Sequence, residues 1–132
     1  MALALAALSM SAPASGAIAR AADEPICDGV TGDPHKNLAT GEIEATLTVK
    51  CTQVTRQIEV YLFLDRDGTI AAKHAARNFD NKEGPPLTVA TPCRTGNWRA
   101  IGYYRVTFTS GQQEYKRADS PAQGLPALKI TC

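Results

Sequence analysis

From Glu42 to Thr52 apolar and polar side chains alternate one for one. Ile43, Ala45, Leu47, Val49 and Cys51 fall on one side, with Glu42, Glu44, Thr46, Thr48, Lys50 and Thr52 on the other. A period of two marks a strand with one buried face, so a strand is predicted here with Cys51 turned to the core. Gln57 to Leu64 repeats the pattern with Ile58, Val60, Leu62 and Leu64, while Tyr61 and Phe63 on the opposite side predict that both faces are partly covered. Asp65-Arg66-Asp67-Gly68 ends this run, because an Asp-Gly pair tolerates the positive φ of a tight hairpin. A return strand is expected over about Thr69–Arg77, although Ala71-Ala72-Lys73-His74-Ala75-Ala76 also suits one short helix.

Beyond a predicted loop at Asp80–Pro86, Leu87–Thr91 makes a short strand that stops at Pro92-Cys93. The run from Asn97 to Thr109 then places Trp98, Ala100, Gly102, Tyr104, Val106 and Phe108 on one side and Arg99, Ile101, Tyr103, Arg105 and Thr107 on the other. Ser110-Gly111 turns the chain, a strand over Gln112–Arg117 starts back, and Ala127–Cys132 supplies a last one after breaks at Ser120-Pro121 and Leu125-Pro126. Six or seven short strands, with no stretch of 3.6-residue apolar spacing, predict an all-β domain. An antiparallel sandwich of about seven strands is expected, with a small closed β-barrel as the alternative.

The N-terminus changes the compartment in which this domain is expected. Met1–Met10 is an apolar run of signal-peptide length, followed by Pro13, Gly16 and small residues at Ala19 and Ala21, so residues 1–21 read as a secretory signal peptide and 22–132 as a single β domain. No Lys or Arg precedes the apolar run. Removal of residues 1–21 leaves 111 residues and takes Arg20 away, so 13 basic and 13 acidic side chains balance. That balance supplies no long-range field for phosphate backbones or anionic lipid, and neither nucleic acid nor membrane insertion is expected.

Cys27, Cys51, Cys93 and Cys132 all follow the leader, and an even number in a small exported domain implies disulfides rather than free thiols. None has zinc-knuckle or redox spacing, and Glu24-Pro25-Ile26 before Cys27 lacks the small residues of a lipoprotein site. Of the three possible pairings, Cys27 with Cys51 and Cys93 with Cys132 is favoured: the first ties the start of the domain to its clearest strand, the second ties the last strand to the turn before the long one. The Ala-rich leader, Cys51 closing an alternating strand, Cys93-Arg94-Thr95-Gly96-Asn97-Trp98-Arg99 and the terminal Lys129-Ile130-Thr131-Cys132 resemble small exported proteins of actinobacteria. Cys93-x-x-Gly96-x-Trp98-Arg99 is also similar to the turn and strand start of immunoglobulin-like sandwiches. The resemblance implies an immunoglobulin-like fold and a secreted, extracellular location, and it carries no catalytic residue.

Candidate chemistry is sparse. Ser110 and Ser120 lie in turn and loop sequence without a nucleophile-elbow setting, and His35 and His74 are too far apart for a local metal motif. Asp65-x-Asp67-Gly68 is a fragment of a calcium loop that lacks the remaining ligands, and Glu42, Glu44, Glu59, Asp65 and Asp67 are ordinary strand and turn carboxylates. No enzyme activity, metal or cofactor is expected. The outward row Arg99, Ile101, Tyr103 and Arg105 has the side chains enriched in interfaces, which makes Arg99, Tyr103 and Arg105 the expected binding residues. The leading expectation is a secreted non-enzymatic domain that binds an extracellular protein or cell-surface component. The alternative is an extracellular protease inhibitor presenting Asn78–Pro86 or Cys93–Asn97 as its loop.

Overall fold

The two alternating segments on either side of Thr52–Arg56 run on as one strand. The computed structural model describes residues 25–118 and 127–132, so the expected signal peptide lies outside the described residues. Among the described residues there are eight strands: β1 (Cys27–Thr31), β2 (His35–Lys36), β3 (Glu42–Arg66), β4 (Thr69–Glu83), β5 (Leu87–Pro92), β6 (Gly96–Thr107), β7 (Gln113–Ala118) and β8 (Leu128–Ile130). All pair antiparallel and join into one hydrogen-bonded sheet that curls into an open half-barrel. Among the described residues no helix is long and apolar enough to cross a membrane.

β3 organises the sheet. Its first half pairs with β1 and β2 and with β5, and its second half pairs with β4 and β6. β4 and β5 form one interrupted strand returning along β3, and β7 and β8 do the same along β6. The corner lies between the halves, where the β3–β4 register shifts between Lys50 and Thr55. Inward residues are odd-numbered through Thr55 and even-numbered from Ile58, which is the change of phase that a bulge imposes on a strand as it bends. Thr55 is fully buried at that corner and its hydroxyl donates to the Asn81 carbonyl at 3.0 Å.

Bending β3 brings both apolar faces into one core. Ile43, Leu47 and Val49 from the first half meet Ile58, Val60, Leu62 and Leu64 from the second, with Trp98, Tyr104 and Val106 of β6 among them. β1 closes over β6 and β7. A Cβ on Gly29 would sit 2.7 Å from the Tyr104 ring, and one on Gly102 would meet the Thr31 hydroxyl, so both positions need the absence of a side chain. The Tyr104 hydroxyl donates to the Cys27 carbonyl at 3.0 Å, and the Thr31 hydroxyl donates to the Ala118 carbonyl. Burial, helped by the nearby carboxylates of Asp28 and Glu114, pushes the Tyr104 phenol up to about 12.

The disulfides join Cys27 to Cys51 and Cys93 to Cys132, the favoured pairing. Among the described residues there are eight strands where about seven were expected; the expected return strand from Thr69 is β4, which takes in Ala71–Ala76 in place of the alternative helix, and it continues to Glu83 through part of the predicted loop. The β4 extension is possible because Asp80 takes a positive φ of 51°, which lets the strand turn past the corner instead of ending there.

Candidate functional site

Two surfaces gather the residues singled out in the sequence. The first is the connection between β5 and β6. Pro92 ends β5, Cys93 is bonded to Cys132, and Arg94 and Thr95 stand exposed before Gly96 starts β6. The neighbouring hairpin holds this connection from below. The Asp67-Gly68 pair has φ values of 53° and 89°, the left-handed geometry of a two-residue hairpin turn, and the Asp65 carboxylate accepts the Gly68 amide at 2.9 Å.

That turn places Arg66 and Asp67 under the loop. The Arg66 guanidinium donates to the Thr95 carbonyl through Nε at 3.1 Å and Nη2 at 2.7 Å. The Asp67 carboxylate accepts the Asn97 amide at 2.9 Å, and the Asp67 amide donates to the Asn97 carbonyl at the same distance. Buried Trp98 donates its indole N–H to the Arg94 carbonyl at 2.9 Å, and the Cys132 amide donates to the Thr95 hydroxyl at 2.9 Å. Backbone on both sides of the Arg94–Thr95 peptide bond is therefore fixed by a disulfide, two side chains and a neighbouring strand end. Beside the loop lies a cleft of about 290 Å³ lined by Arg66, Ile70, Thr91, Pro92, Arg94 and Trp98.

The second surface is the outer face of the second half of the sheet, where register sets side chains in rows across four strands. Arg77, Glu59, Arg105 and Tyr115 form one row, Ala75, Tyr61, Tyr103 and Arg117 the next, and Lys73, Phe63 and Ile101 a third. Arg99 lies opposite Asp65 at the end of the face. Tyr103 packs edge-on against Phe63 with ring centroids 6.3 Å apart, and its ring lies tilted by 31° against that of Tyr115 at 6.0 Å. Arg105 Nε donates to the Glu59 carboxylate at 2.5 Å, and that bond raises the guanidinium pKa further. The sequence-predicted residues Arg99, Tyr103 and Arg105 thus share one face, with Arg105 engaged by Glu59.

Among the described residues the remaining candidates are not brought together into a site. His35 reaches the Glu44 carboxylate at 3.3 Å, but on the β2–β3 pair and not in the lining of the cleft beside the 93–97 loop. His74 lies exposed on β4 with Nδ1 at 3.5 Å from the Thr88 carbonyl. The Ser110 hydroxyl accepts the Gln112 amide in an exposed turn, and Ser120 lies outside the described residues. Asp65 and Asp67 spend carboxylate oxygens on backbone amides, and among the described residues no group of three or more His, Cys, Asp or Glu side chains is placed to hold a metal ion.

Sequence reasoning missed Arg66, Asp67 and Trp98 as the residues that hold the 93–97 loop. The Asp-Gly turn was the one available signal, because a tight hairpin fixes where its flanking side chains point. No protein-family model, curated protein or solved structure matches the chain.

Proposed function

We propose that the protein is an extracellular inhibitor of a trypsin-like serine protease, acting through Cys93–Asn97 with Arg94 as the side chain that enters the enzyme's specificity pocket. The observation that carries this reading is the fixation of backbone on both sides of the exposed Arg94–Thr95 bond. A loop already held in one conformation loses little entropy on docking, and this converts contact into affinity. If the bond were cut, the Cys93–Cys132 bridge and the Arg66–Thr95 contacts would keep the new ends together, which favours resynthesis over release. The Trp98 indole N–H donates to the Arg94 carbonyl, the oxygen a protease takes into its oxyanion hole, so docking has to break that bond at a cost on the order of 1 kcal/mol, against which the disulfide and the Arg66–Thr95 contacts keep the rest of the loop in place.

Inhibition of trypsin by the full chain tests this. Wild type is expected to inhibit, with a change in the fluorescence of its single tryptophan on complex formation. Arg94→Ala is expected to weaken inhibition at least about 30-fold, the loss of one hot-spot side chain, while Arg94→Lys retains it. Absence of inhibition by the folded wild type overturns the reading.

A second reading is a non-enzymatic domain that binds an extracellular or cell-surface macromolecule, and the rows that unite Arg99, Tyr103 and Arg105 with Tyr61, Phe63 and Tyr115 favour it. Both readings take the chain as exported after residues 1–21, a view supported by two disulfides that an oxidising compartment sustains. Both also take the curled sheet as an immunoglobulin-like sandwich, supported by the two apolar faces of β3 closing on one core around Trp98.

A further inference from the structure

The outer face of β4, the second half of β3, β6 and β7 carries five cationic side chains against two carboxylates, in a chain whose formal net charge is +1. Its middle is apolar: Tyr61, Phe63, Ile101 and Tyr103 are half-buried there. Tyr115, 62% exposed, and Phe79, 58% exposed beneath the Arg77 guanidinium at 5.5 Å, extend that apolar area toward both edges. Ala75 leaves a shallow cleft of about 190 Å³ between Tyr61 and Arg77. Lys73, Arg77, Arg99 and Arg117 stand around this centre.

We infer that this face docks a polypeptide that presents carboxylates around aromatic side chains. Apolar centre and charged margin are the anatomy of a protein–protein interface, in which Tyr and Arg contribute most of the affinity. A uniform polyanion is a poorer match. Nucleic acid or a polyuronate would have to lie across Glu59, which occupies the interior of the face, and the cations mark a perimeter instead of a track. Carboxylates on the partner meet the margin, and its aromatic groups cover Tyr61 and Tyr103 and fill the cleft over Ala75. The inference rests on the second reading above, and the inhibitor loop plays no part in it.

The probe is a fluorescein-labelled random copolymer of glutamate and tyrosine, titrated with the full chain and followed by fluorescence anisotropy. The copolymer is expected to bind at least tenfold more tightly than polyglutamate. Binding is expected to weaken as salt rises from about 0.15 M to about 1 M, where the Debye length falls from about 8 to about 3 Å. Tyr103→Ala with Tyr115→Ala is expected to lower affinity at least about tenfold, as loss of two interface aromatics does. Lys73→Glu with Arg77→Glu, both exposed on β4, tests the same face without touching its aromatic centre, and is expected to abolish the salt-sensitive part. Arg94→Ala should leave copolymer binding unchanged, and the outer-face variants should leave trypsin inhibition unchanged, so the two proposals fail separately. No binding by wild type, equal binding by both folded variants, or tighter binding of alginate or oligothymidylate overturns the inference.

Discussion

The two halves of β3 present the same chemistry inward and opposite chemistry outward. Inward, Ile43, Leu47 and Val49 of the first half match Ile58, Val60, Leu62 and Leu64 of the second, and all are essentially without solvent exposure. Outward, the first half shows Glu42, Glu44, Thr46, Thr48 and Lys50, whereas the second shows Gln57, Glu59, Tyr61, Phe63 and Asp65. Threonine and charge on a solvated face need no partner. Aromatic rings on an otherwise equivalent face do call for an explanation, because water covers them at a cost that the core does not require the chain to bear. The difference separates what the fold demands, which both halves share, from what only one half has.

The sharpest way to break the shared part is to truncate it on both sides. Leu47→Ala and Leu62→Ala are each expected to cost about 2–5 kcal/mol, as lost burial and a residual cavity add. Equal losses by chemical denaturation mean that the halves share one core. A loss confined to one half, with the other still melting at the wild-type midpoint, means that the bend in β3 separates two cooperative units and that the common core does not exist.

That shared core was largely legible, because alternation alone selects its members in β3 and β6. The corner was legible only as an interruption. The odd-to-even change of phase between Thr55 and Ile58 reads in sequence as the end of one strand and the start of another, although the backbone continues through a bulge. β1 was hidden for a different reason. Cys27, Gly29 and Thr31 point inward while Val30 is 56% exposed, so its apolar pattern is reversed, and the inward position 29 has to be glycine because the Tyr104 ring lies against it. The outward row of β6 could be read from spacing, but its neighbours Tyr115 and Arg117 come from β7 and Arg77 from β4, and strand order is a property of the whole sheet. The 93–97 loop was recognised as a turn, but its rigidity comes from Arg66 and Asp67 at a distance in sequence.

Tyr104 is where β6 reaches β1 across the closing core, and it gives a smaller and pH-dependent probe of that joint. Its folded pKa of about 12 lies above the unfolded value near 10. Below about pH 9 the phenol is protonated in both states and its full contribution is present. Between about pH 10 and 12 the unfolded chain releases the proton while the folded one retains it, so stability falls, and the contribution is lost as pH passes the folded value. The fall is expected to be on the order of 2 kcal/mol. Tyr104→Phe should remove this contribution to the alkaline fall and cost about 1 kcal/mol at neutral pH, the worth of the hydrogen bond to the Cys27 carbonyl. The cost stays modest because Lys116 Nζ, at 3.5 Å, also reaches that carbonyl. An unchanged alkaline profile in the variant means that the phenol does not report on the joint.

The smallest effect separates the outer faces. Thr48→Ala, in the first half, is expected to change stability by no more than about 0.5 kcal/mol, since the side chain is exposed on the polar face beside the exposed Val30. Tyr115→Ala, in the second, should cost about 0.5–1.5 kcal/mol, the value of its ring contact with Tyr103. Urea denaturation of the two variants beside wild type measures both. If Tyr115→Ala instead costs as much as Leu62→Ala, the aromatic stripe is a second layer of core, its presence is explained by folding, and the argument for a docking face loses its ground. If the cost stays near 1 kcal/mol, folding accounts for only a fraction of what the rings could contribute when fully covered, and a partner that covers them supplies the remainder.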